Sequence, residues 1–179
     1  METMLALARR VDWVTDRFAI LAKYTVFLAC AISAGNAIVR YAFNTSSNGW
    51  LEVQWYLFAA CVMLGAPQVL RVNEHVRVDV LYGRYGGRTK VLIDLAGLVV
   101  FLLPVMVTMV YFSWPIFARM YLTGEMSNNA GGLIRWPAMG MLPLGFALML
   151  LQGVSEVIKR AAWLAHKYDM DTHYERPLQ

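Results

Sequence analysis

Leu95-Ala-Gly-Leu-Val-Val-Phe-Leu-Leu-Pro-Val-Met-Val-Thr-Met-Val-Tyr-Phe-Ser-Trp-Pro-Ile-Phe-Ala118 decides the fold: 24 residues without one charged side chain. A helix of roughly 20 residues crosses a hydrocarbon layer about 30 Å thick. Backbone groups in lipid must be satisfied within their own segment, so the run reads as a spanning helix. Three further runs share the pattern: Tyr24–Val39, Val53–Leu70 and Trp136–Ser155, of 16, 18 and 20 residues. The chain is 59% hydrophobic, with mean hydropathy +0.47. That balance suits a membrane protein and leaves little of the 179 residues for a soluble domain. The sequence therefore predicts an all-α integral membrane protein with four transmembrane helices, over about 18–40, 51–70, 91–121 and 136–160. Residues 18–168 form one membrane domain, with an amphipathic segment at 1–17 and a polar tail at 169–179.

The basic residues predict the orientation. Of 16 Lys and Arg, only Arg40, Arg119 and Arg135 fall on the side of the first and third connections. The other 13 precede span one, separate spans two and three, or follow span four. Such a bias marks the cytoplasmic side, so both termini are expected there. The net charge of +4 then reflects topology and implies no nucleic acid. Anionic phospholipid is partner enough, with Arg71, Arg77, Arg84, Arg88 and Lys90 expected at the inner headgroups. Ala29-Cys30-Ala31 looks like a cleavage site, but the stretch before it is long and holds Asp12 and Asp16, so span one is expected to be retained. Cys30 and Cys61 fall mid-span without a Cys-x-x-Cys and read as packing residues.

Local pattern adds detail. Met4, Leu7, Val11, Val14 and Phe18 recur at helical spacing. They predict either a short interfacial helix anchored by Trp13 or an extension of span one. Span one carries small residues at Ala22, Ala29, Ser33 and Ala37, a ridge that lets another helix approach. Val76, Val78 and Val80 alternate with polar residues and suggest a short extended or interfacial piece, after which Asp79 caps a short helix. Pro104 and Pro115 make kinks plausible in span three. Gly124, Gly131 and Gly132 supply turns, and Pro137 suits a helix start.

No run has a central Asp, Glu, Arg, Lys or His, the groups that ion-coupled carriers keep inside the membrane. Glu52, Asp94 and Glu156 sit near span ends. Asp94 is expected to pair with Lys90, and Glu156 with Lys159 or Arg160. A bundle without a buried ionisable group is the expectation. His75, His166 and His173 lie outside the spans, which argues against haem ligation within the bundle. No zinc cluster, nucleophile elbow or phosphate loop appears. Neither an enzyme nor a cofactor is expected. The aromatic, Met-rich and small-residue surfaces suit a scaffold that packs on another membrane protein.

The polar stretches carry a resemblance. Asn36-Ala-Ile-Val-Arg-Tyr-Ala-Phe43 with Trp50-Leu-Glu52 resembles the first outer segment of the small membrane subunit of TRAP transporters, the DctQ family. Asn73-Glu-His-Val-Arg-Val-Asp79 looks like that family's His-x-Arg-x-Asp signature. Glu125-Met-Ser-Asn-Asn-Ala-Gly-Gly-Leu-Ile-Arg-Trp-Pro137 and Pro143-Leu-Gly-Phe146 are similar to the segment before and within its last span. The likeness covers roughly residues 18–160. It implies a multi-pass protein of the bacterial inner membrane. Its partners would be a large elevator-type subunit, which carries the substrate and sodium sites, and transiently a periplasmic binding protein. The transported substrates would be organic acids. Candidates for subunit packing are Ala29, Ser33, Ala37, Asp79 and Asp94. Candidates for outer partner contact are Glu52, Glu125, Ser127, Asn128 and Arg135, with Asn129 beside them. Two other readings are a self-contained oligomeric four-helix exporter and an anchor subunit of some other membrane complex.

Overall fold

Helix ends fall where the apolar pattern gives way to turn residues. α1 (Glu2–Phe43) stops at Asn44, whose φ of 53° lies in the left-handed region that Asn tolerates. α2 (Asn48–Val72) stops in the same way at Asn73, φ 62°. α3 (Gly87–Thr123) ends at Gly124, φ 61°. α4 (Trp136–Leu164) opens on Trp136-Pro137, with the proline in the first turn as expected. The structure is a computed structural model and describes residues 1–45, 47–73 and 85–169. The expectations for Val76, Val78, Val80, His75, Arg77, Asp79, Arg84 and the tail beyond residue 169 lie outside those residues. All four helices are long and apolar enough to cross a membrane, and no strand is formed among the described residues.

α1 runs unbroken for 42 residues, about 63 Å at 1.5 Å per residue. That is about twice a hydrocarbon layer. Of the two arrangements the sequence allowed for residues 1–17, the structure draws the continuous extension. The packed face follows the apolar repeat only in part: Val14 and Phe18 pack on the core, and the outer members of the repeat do not. Met4 and Leu7 are 54% and 53% exposed. Ala8, Thr15, Ala22 and Ala29 are buried instead, one every seven residues, with Ala19 beside them. A seven-residue repeat keeps one seam facing its neighbours along a left-handed supercoil. In lipid there is no hydrophobic drive between helices, so small side chains that allow close contact make the seam. A Cβ placed on Gly65 of α2 would lie 3.6 Å from that of Ala22. Within the expected ridge, Ala22 and Ala29 pack inside the bundle, while Ser33 and Ala37 are exposed.

α4 is the hub and touches the other three helices. Leu148 joins Ala22, Ala60 and Leu64 in the core, with Val14, Phe18 and Met141 around it. The tightest approach is to α2: a Cβ on Gly145 would lie 2.5 Å from the Cβ of Met63 and 2.8 Å from its carbonyl oxygen. Only glycine fits there. α3 is less covered, and it presents Phe101, Phe112, Trp114 and Leu122 outward. It carries a π-helical stretch at Leu98–Leu102. Pro104 lacks an N–H and crowds the carbonyl four residues back, at Val100, so the widened turn falls where the proline disturbs the ladder. Pro115 sits in regular α-helix.

Candidate functional site

Two polar clusters occupy opposite ends of the bundle. At the end holding the connection between α3 and α4, residues 124–135 fold back as a narrow hairpin. Met126 and Ile134 form an antiparallel bridge. The Ser127 N–H donates to the Leu133 carbonyl and the Arg135 N–H to the Glu125 carbonyl, both at 2.9 Å. The reversal needs Gly131 at φ 70°, and a Cβ on Gly132 would lie 2.6 Å from that of Ser127. This fold aims three donors at one point.

Glu52 of α2 stands at that point and is 3% exposed. Its carboxylate accepts from the Ser127 hydroxyl, from Asn129 Nδ2 at 2.8 Å and from the Leu133 N–H at 2.7 Å. A carboxylate is an acceptor only, so three converging donors match it. One turn earlier, Asn48 Nδ2 donates to the Ala130 carbonyl at 2.9 Å. One turn later, Tyr56 donates to the Ile134 carbonyl at 2.8 Å. Asn48, Glu52 and Tyr56 share one face at four-residue spacing and grip the hairpin at three levels. Outside this clamp Arg135 pairs with Glu125 at 2.7 Å, and both are partly exposed. Glu52, Trp55, Tyr56, Ser127, Asn128 and Arg135 help line a shallow hollow of about 360 Å³. The structure thus brings Glu52, Ser127, Arg135 and Glu125, four of the candidates for outer partner contact, together at one end of the bundle. Glu52 lies beneath the surface and the others frame it.

The second cluster corrects the expectation that no ionisable group is buried. Glu156, Lys159 and Arg160 of α4 are 3%, 8% and 4% exposed. Asp12 of α1 accepts from Gln152 Nε2 at 2.9 Å, Ser155 Oγ at 3.0 Å and Lys159 Nζ at 3.1 Å. Thr15 donates to Gln152 Oε1 at 2.8 Å. Glu156 pairs with Lys159 and Arg160 within its own helix, as the sequence suggested. Arg160 also reaches Asp94 of α3 at 3.6 Å. Arg71 of α2 pairs with Asp16 and donates to the Asp12 carbonyl at 3.3 Å. The network joins all four helices. It binds Arg71 and Asp94 to other helices, while Arg88 remains exposed and Lys90 is half-buried. In the sequence Asp12 and Asp16 counted only as charges that argue against signal cleavage, with no partner assigned to either. The usable signal was Gln152, Ser155, Glu156 and Lys159, spaced so that all four share one face of α4.

Glu52, Glu156, Lys159 and Arg160 each meet donors or an opposite charge within the subunit, so both arrangements brace the bundle at its ends. The family model described as the DctQ component of tripartite ATP-independent periplasmic transporters matches residues 29–162. No curated protein and no solved structure matches the chain.

Proposed function

The chain belongs to the DctQ family and is thus a small permease subunit of a TRAP transporter, a premise from which we propose that it is the immobile scaffold of that transporter. It binds and stabilises a large elevator-type subunit that carries out sodium-driven uptake of organic acids delivered by a periplasmic binding protein. It is not an enzyme and holds no substrate or ion itself. The supporting observation is that the described buried charges, Glu52, Glu156, Lys159 and Arg160, are all engaged within the subunit. A carrier needs intramembrane charges that are free to exchange ligands.

The remaining assignments follow from this reading. The end bearing Met1 and the Asp12–Lys159 network faces the cytoplasm of a bacterial inner membrane, supported by the basic asymmetry. Residues 18–168 form the membrane domain, 1–17 its helical extension and 169–179 a polar tail. Arg71, Arg88 and Lys90 stand near the inner headgroups. The hairpin around Glu125, Ser127, Asn128 and Arg135 faces the periplasm and meets the binding protein, with Glu52 holding it in shape. Charges at such a rim tune association rate and orientation more than affinity.

The test is reconstitution. Proteoliposomes holding both membrane subunits take up acid substrate when sodium gradient and binding protein are present, and those holding this subunit alone do not. Transport by this subunit alone would replace the scaffold with an exporter. Glu125→Arg raises the binding-protein concentration needed for half-maximal uptake while assembly stays normal; an unchanged concentration would remove the docking role.

A further inference from the structure

The outward surfaces of the bundle differ in chemistry, and the difference points to which of them is covered by protein. The outward face of α3 exposes mainly apolar and aromatic side chains from Val99 to Leu122; its exposed Thr108 bonds the Pro104 carbonyl of its own helix, and its exposed Arg119 lies little more than a turn from the Gly124 end, within reach of headgroups. The outward face shared by α1 and α2 near the hairpin end is different. Ser33, Asn36 and Arg40 follow one another on α1 at spacings of three and four, and Gln54 of α2 lies across from them. With Ala37 and Leu51 they line a hollow of about 770 Å³. Among the described residues none bonds to the side chains of Ser33, Asn36, Arg40 or Gln54. Ser33 and Ala37 are exposed, and Asn36 and Gln54 are half-buried.

Arg40 can reach the headgroups from its span end, but Ser33, Asn36 and Gln54 are shorter and sit further along their helices, where polar groups facing lipid are costly unless another chain supplies partners. Small residues between them let that chain come close. We propose that this α1–α2 face, and not α3, docks a transmembrane helix of the large subunit. That helix presents hydrogen-bonding side chains to Ser33, Asn36 and Gln54, and a carboxylate or a row of helix-end carbonyls to Arg40. The inference rests on the scaffold reading above and names the surface through which the scaffold acts. α3 then keeps its aromatic face in lipid, on the far side from the transporter.

Spin labels on single cysteines test this, in a background with Cys30 and Cys61 replaced by alanine. Labels at Ser33, Ala37, Val100 and Phe112 are compared for collision with dissolved oxygen in the subunit alone and in the purified two-subunit complex. Ser33 and Ala37 are expected to lose several-fold in collision rate on assembly, with Val100 and Phe112 unchanged. Protection of Val100 and Phe112 with Ser33 and Ala37 still accessible would overturn the assignment while leaving the scaffold reading intact. Failure of the wild-type subunits to co-purify would instead overturn the scaffold reading, and the assignment with it. As a second measurement, Asn36→Leu and Gln54→Leu, which favour burial in lipid, should each lower the retained large subunit roughly threefold, the size of a typical interhelical hydrogen bond in a bilayer. Equal retention in both variants would count against bonding at this face.

Discussion

Glu52 and Gly145 matter for opposite reasons, one for what it accepts and one for what it omits. The Glu52 carboxylate faces three donors, so Glu52→Gln replaces one acceptor by an NH₂ group that must oppose a donor. The hairpin should loosen while the helices stay. The Leu133 amide is expected to exchange with deuterium at least about tenfold faster in the variant, in keeping with local opening of a once-closed loop. An unchanged rate would mean that Asn48 and Tyr56 hold the hairpin alone. Gly145→Ala forces a methyl group toward Met63, where 2.5 Å separates the nearest atoms. Overpacking of this sort costs about 1–3 kcal/mol, read as a lower unfolding midpoint in nanodiscs. A midpoint equal to wild type would show that α2 and α4 separate at that crossing without penalty.

Between helices, the α1–α4 seam is held by side chains rather than by apolar area. Lys159→Met leaves Asp12 and Glu156 without their shared cation, and breaking such a partly buried pair costs about 3–5 kcal/mol. Adding Asp12→Asn should restore part of the loss, since the remaining acceptor demand falls. A double variant no more stable than the single would show that Asp12 answers to Gln152 and Ser155 instead. This seam also marks what the sequence revealed and what it hid. The spans were legible because 20-residue uncharged runs have no other use, and the hairpin clamp was half legible because polar residues clustered beside an interfacial tryptophan. On α1 the helical repeat of Met4, Leu7, Val11, Val14 and Phe18 was legible, but not what it would meet: Val14 and Phe18 pack on the core, Met4 and Leu7 stay exposed, and Ala8, Thr15 and Ala22 face in. The partner of Asp12 lies up to 147 residues away, beyond the reach of any local period.

For the molecule as a whole, the polar clusters cap both ends of an apolar middle and fix how it sits. Fusions to a reporter active only in the cytoplasm should report from both termini, as the basic bias requires; a periplasmic signal from either end would invert or break the four-span arrangement. The length of α1 carries a further consequence for the way the protein is made. Thr15 and Asp12 leave the ribosome early, but Gln152, Ser155 and Lys159, which satisfy them, follow 137 to 147 residues later. At about 5–20 residues per second that is a wait of roughly 7–30 s. Through that interval the nascent α1 holds an unanswered carboxylate beside a seam of alanines, with water and headgroups as its only solvent. A chain halted before α4 should therefore be a poor resident of the membrane and an early target for quality-control proteases, however apolar its first three helices are.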